Sequence, residues 1–118
     1  RDYTYVDDIV NGLIQALTAT TIQAKSTVYN LGNTNPVTLN EFIRVCEETV
    51  GKVAHIHQMK PQLGDVSHTH ANIRLAREAF GYQPTTSLKE GLQKMYTHMV
   101  KHQDFNESTG ILNNIGMY

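Results

Sequence analysis

Apolar positions along the chain recur at helical spacing in four stretches, separated by shorter runs in which apolar and polar residues alternate. Ile9, Val10, Leu13, Ile14 and Leu17 form the first stripe and predict a helix over residues 8–18 with that stripe facing a core. Asp7 is placed to cap it, and Asp8 puts negative charge where the helix dipole favours it. Thr38-Leu39-Asn40-Glu41 is a capping box. Leu39, Phe42, Ile43, Cys46 and Val50 follow as an apolar face, and Gly51 supplies the stop. Asn72 caps a third helix over 73–80, ended by Gly81. Ser87 and Glu90 frame a second capping box, after which Leu88, Leu92, Met95, Tyr96 and Met99 share one side. Alternating, β-branched and aromatic runs predict short strands at 3–6, 27–31 and 53–59. From about Gln103 the pattern dissolves, and 103–118 reads as a flexible tail or one that docks elsewhere. The fold class expected is α/β, with short strands covered by about four helices.

The 118 residues suffice for one small domain, and 40% hydrophobic with 18% charged residues is ordinary for a globular protein. A net charge of −1 gives no electrostatic support for nucleic-acid or membrane-surface binding. No apolar run approaches the ~18 residues of a membrane span. One cysteine, Cys46, fits a reducing, cytoplasmic setting, and its place in an apolar stripe marks a core residue rather than a nucleophile.

Arg1-Asp2-Tyr3-Thr4-Tyr5-Val6-Asp7-Asp8 resembles the Arg-Asp-aromatic-x-x-Val-x-Asp segment of extended short-chain dehydrogenase/reductase enzymes that act on sugar nucleotides. Val28-Tyr29-Asn30-Leu31-Gly32-Asn33, and Gly64-Asp65-Val66 followed by Thr69-His70-Ala71-Asn72, extend the resemblance in order over roughly residues 1–100. Among these enzymes the chain looks like the NAD-dependent UDP-glucuronate 4-epimerases. The resemblance implies a fragment: residues 1–102 would be the C-terminal UDP-sugar-binding region of a Rossmann-type epimerase. The chain opens inside a family motif without an initiator methionine, in keeping with that expectation.

The motifs for cofactor chemistry are not in this sequence. The eight glycines, at 12, 32, 51, 64, 81, 91, 110 and 116, include no Gly-rich turn for a dinucleotide pyrophosphate. The family's base is a tyrosine with a lysine four residues later, but Tyr3, Tyr5, Tyr29, Tyr82 and Tyr96 have Asp7, Ile9, Asn33, Thr86 and Val100 there. No catalytic residue is assigned. NAD would be bound mainly by a missing N-terminal Rossmann part.

By resemblance, Arg1 would contact the UDP phosphates and Asp65 the ribose hydroxyls. Gln62 falls where some relatives place a second phosphate-binding arginine. A guanidinium suits a diphosphate and a carboxylate suits paired hydroxyls, whereas Gln62 donates without charge. Each has a plainer alternative: Arg1 pairing with Asp2, Asp65 fixing a turn, Gln62 facing solvent. Helix capping accounts for Asp7 and Asp8 without catalysis. His98 and His102 are four apart on a helix, a spacing that can hold zinc, but no third ligand is evident. His55 with His57, and His68 with His70, read as neighbours on extended faces. The expected partners are a UDP-sugar, the missing Rossmann part and a second copy of the chain. A non-catalytic binding or protein-interaction module is the alternative function.

Overall fold

The computed structural model describes residues 1–20, 27–60 and 63–102. Gln62 and the tail 103–118 lie outside the described residues. Four helices are present: α1 (Val6–Thr18), α2 (Leu39–Val50), α3 (Arg74–Phe80) and α4 (Leu88–Lys101). α2 packs on α4, and α1 on α3.

The local signals for α2, α3 and α4 act as their chemistry demands. The Thr38 hydroxyl accepts the Glu41 N–H and the Ser87 hydroxyl accepts the Glu90 N–H, both at 3.2 Å. Asn72 Oδ1 accepts the Arg74 N–H at 3.1 Å, but Ile73, not Asn72, holds the N-cap position of α3, so the helix begins one residue later than expected. Gly51 and Gly81 close α2 and α3 in the left-handed region, at φ 73° and 75°.

α1 departs from expectation in two ways. Tyr5, not Asp7, holds the N-cap position, and no side chain caps it; Asp7 lies within the first turn. The buried residues of α1 are Asp8 and Gly12, while Val10, Leu13, Ile14 and Leu17 are exposed. The inward face is therefore opposite the apolar stripe. Close approach and hydrogen bonding decide this orientation. A Cβ on Gly12 would lie 2.8 Å from two Tyr82 ring carbons and 2.9 Å from Leu31 Cδ1, so only glycine leaves room for that ring. Beside it, Asp8 reaches the chain just before α4. Its carboxylate accepts the N–H groups of Thr85 and Thr86, each at 3.1 Å, and the Thr85 hydroxyl at 3.3 Å.

Ile73, Ala76 and Tyr82 form the core, with Tyr29, Leu31, Ala71 and Phe80 around them. The buried Tyr82 hydroxyl donates to the Gly32 carbonyl at 3.2 Å. α2 buries Val45 most deeply, while Leu39, expected on its inner face, is exposed. On α4, Leu88 and Leu92 are half-buried, and Met95, Tyr96 and Met99 face outward.

No strand is formed among the described residues. A strand needs a backbone neighbour for its N–H and C=O groups. The stretches 27–31 and 53–59 have no such ladder, and Val28, Val53 and Ile56 are exposed. One sheet-like pairing is seen among the described residues: Arg1 N donates to Val37 O at 2.8 Å, and Val37 N donates back to Arg1 O at 2.9 Å. Among the described residues no helix is long and apolar enough to cross a membrane.

Candidate functional site

Asp2 assembles the site. Its backbone N–H donates to the Thr69 hydroxyl at 2.9 Å. Its carboxylate accepts N–H groups from Thr34 at 3.0 Å, Asn35 at 3.1 Å and Ala71 at 3.1 Å. One short acid thus ties the first residues to the loop before α2 and to the segment before α3. These bonds satisfy donors that no helix or sheet would. They exclude Asp2 as the ion-pair partner of Arg1.

With the backbone so held, the Arg1 guanidinium and the Asp65 carboxylate form an ion pair, although they are 64 residues apart. Gly64, at φ +87°, makes the turn that presents Asp65. Both side chains line one pocket of 480 Å³, together with Tyr3, Thr38, Ser67 and His68. The pocket opens beside the first residues of α2. Arg1 is about one-third exposed, and its Nη1 is shielded from solvent with no acceptor among the described residues. Its pair with the exposed Asp65 is one that solvent and salt weaken readily.

Tyr3 forms a wall shared with a second, larger cleft. Its ring stacks on Phe42 with centroids 4.4 Å apart and planes 20° apart. That cleft, 540 Å³ and mainly apolar, lies between residues 3–6 and α4, lined by Tyr5, Leu92 and Met95. Lys94 sits 5.1 Å from the centre of the Tyr5 ring.

One carboxylate and one thiol invite a catalytic reading, and neither fits one. Burial raises the Asp8 pKa, but the hydrogen bonds from Thr85 and Thr86 outweigh it and leave the group below its ordinary value. A carboxylate so occupied is a poor base. Burial pushes the Cys46 thiol up, in keeping with a packed and unreactive side chain. The His98 and His102 ring centroids lie 4.4 Å apart with planes tilted by 48°, and among the described residues no three His, Cys, Asp or Glu side chains converge to hold a metal.

The structure therefore brings Arg1 and Asp65 together. Thr38, Ser67 and His68 join them without any motif in the sequence to announce it. Their clustering depends on Asp2 folding two distant loops onto the first residues.

No family model matches the chain. It is 45% identical to UDP-glucuronate 4-epimerase 6 of Arabidopsis thaliana over 80% of its own length and 23% of that protein. It is 38% identical to UDP-glucuronate 4-epimerase 1 of the same plant, over 90% of its own length and 27% of that protein. The chain spans about a quarter of the length of these relatives. Its backbone superposes on UDP-glucuronic acid 4-epimerase from Bacillus cereus, solved with UDP-glucuronic acid and NAD. The TM-score is 0.79 at 32% identity, over 86% of this chain and 32% of that one. The enzyme WbmF of Bordetella bronchiseptica, at 22% identity and TM-score 0.73, shares the fold. The resemblance read from the motifs is borne out.

Proposed function

We propose that this chain, homologous to the NAD-dependent UDP-glucuronate 4-epimerases of the extended short-chain dehydrogenase type, is the part that grips the nucleotide of a UDP-sugar. Residues 1–102 form this region. Arg1 binds the diphosphate, Asp65 accepts the ribose hydroxyls, and Gln62 donates a further hydrogen bond. The observation that carries the reading is the meeting of Arg1 and Asp65 in one 480 Å³ pocket. Binding would exchange their mutual ion pair for contacts to the ligand, which supplies acceptors to the guanidinium and hydroxyl donors to the carboxylate.

The intact enzyme inverts C4 of UDP-glucuronate or a related UDP-hexose through a 4-keto intermediate, and NAD is its cofactor. The residues present here do not fit NAD. Of the three left-handed glycines among the described residues, Gly51 and Gly81 end helices and Gly64 presents Asp65. None leads into a helix N-terminus as a pyrophosphate cradle must. The chain's contribution is to hold and orient the substrate. A cytoplasmic Rossmann part, of the kind relatives carry in their remaining length, would supply the redox centre and cover the exposed α1 stripe. Without it, that stripe would join copies of the chain to one another.

Calorimetric titration of UDP into the chain tests the reading. Binding that Asp65→Ala abolishes supports it. No heat of binding in the unaltered chain overturns it in favour of an interaction module, for which the exposed α1 face speaks.

A further inference from the structure

We propose that the His68 imidazole is a second cationic contact for the ligand's diphosphate, so that nucleotide binding tightens as the pH falls. This deepens the nucleotide reading and rests on it. A diphosphate carries two negative charges, and Arg1 is the only arginine or lysine side chain among those lining the pocket. Gln62, the candidate for a second donor, has no charge to offer. His68 lies three residues beyond Asp65 and lines the same pocket as Arg1 and Asp65. It is exposed, so its ring is free to turn toward a ligand.

The neighbouring groups favour that role. The charged side chains on this side of the pocket are the Arg1 guanidinium and Asp65. The Arg1 backbone nitrogen donates to the Val37 carbonyl at 2.8 Å, and Asp65 is engaged by Arg1. Glu41 is the acid in the first turn of α2 and is not among the residues lining the pocket. The Tyr3 phenol lines the same pocket, and His70 is a second imidazole nearby, its centroid 6.4 Å from that of His68. Imidazole is the side chain that gains charge between neutral and mildly acidic pH. A protonated His68 facing a bound diphosphate would form a charge-assisted hydrogen bond; a neutral ring could donate only an ordinary one. The proton it takes up comes from solvent, and no covalent step is involved.

The probe is UDP-glucuronate, not UDP. The outer phosphate of UDP titrates near pH 6 and would mix with the histidine, whereas in the sugar ester that phosphate is a diester of fixed charge. Affinity is measured by calorimetry at about pH 8 and about pH 6, a range in which the carboxylates stay ionised. The expected result is a roughly tenfold rise in affinity at the lower pH, the worth of one charge-assisted contact. His68→Phe should lose that rise, and His70→Phe should keep it. The ring resonances of His68 should also titrate at higher pH once ligand is present. A pH response unchanged in His68→Phe, or absent from the unaltered chain, overturns the proposal. If Arg1→Gln meanwhile abolishes binding, the nucleotide site stands and only the role of His68 falls. Failure of the unaltered chain to bind at either pH overturns both.

Discussion

The Asp8 carboxylate accepts the Thr86 backbone N–H at 3.1 Å, joining the first turn of α1 to the residue before the cap of α4. Asp8 is 3% exposed and Thr86 is 7% exposed, so water cannot replace either partner. Asp8→Ala should therefore cost roughly 3 kcal/mol, because it leaves the buried Thr86 N–H and the part-buried Thr85 N–H without their acceptor. Asp8→Asn, which keeps one acceptor, should cost less. Urea unfolding of both variants measures the difference.

The same contact predicts acid lability. The folded Asp8 carboxyl titrates below its ordinary value, 3.8, so the folded state binds its proton less readily than the unfolded chain. Its contribution is complete above that ordinary value and is lost as the pH falls through the lower, folded one. Stability followed from pH 6 to 2 should drop in that acidic window, and Asp8→Asn should flatten the drop. An unchanged slope in the variant would remove Asp8 as its source.

Gly12→Ala should destabilise the fold by about 1–3 kcal/mol, the usual range for overpacking. The added methyl meets the Tyr82 ring at 2.8 Å, and that ring is held in turn by its hydroxyl on the Gly32 carbonyl. Alanine is the better helix former, so propensity alone predicts the opposite sign. A lowered melting temperature decides for packing. Tyr82→Phe, which leaves the Gly32 carbonyl without its donor, should cost about 1 kcal/mol.

These residues mark how much of the molecule was legible in the sequence. Capping chemistry is local, so Thr38, Ser87, Gly51 and Gly81 announced four helix boundaries correctly. The meeting of Arg1 with Asp65 was reachable through motif resemblance, since the resemblance implies that both contact one nucleotide. The inward face of α1 was not legible. Hydropathy points to Leu13 and Ile14, but a buried acid and a glycine face inward because their partners, Thr86 and Tyr82, are about seventy residues away. The strands at 27–31 and 53–59 read as strands by composition, yet a strand forms only beside a neighbour. His68 was read merely as a companion of His70, because nothing local reveals that Asp2 draws its segment toward Arg1.

The Cys46 thiol should react several-fold more slowly with a disulfide reagent in the folded chain than in denaturant at the same pH. Burial raises its pKa, and the thiolate is the attacking species. Equal rates in the two states would mean that α2 opens freely.

Leu13 and Leu17 are 53% and 85% exposed, on the α1 face that no other element covers among the described residues. The double replacement Leu13→Ser and Leu17→Ser should leave the unfolding free energy within about 0.5 kcal/mol, as expected for surface positions. It should, however, abolish concentration-dependent association in sedimentation. A chain that sediments as a monomer before the replacement would show that this stripe does not join copies.

Arg1 and Asp65 separate binding from stability. Asp65 is 60% exposed at its side chain, and surface ion pairs are worth at most about 1 kcal/mol. Asp65→Asn should leave the melting temperature nearly unchanged, since Asp2, and not this pair, holds the loops together. The same variant should lose at least about tenfold in UDP affinity if the carboxylate accepts both ribose hydroxyls, because an amide offers one acceptor oxygen in place of two. Arg1→Gln should weaken UDP more than uridine, since only UDP presents a diphosphate to the guanidinium. Equal losses for the two ligands would move the diphosphate away from Arg1. A large fall in melting temperature for Asp65→Asn would instead make the ion pair a structural clasp.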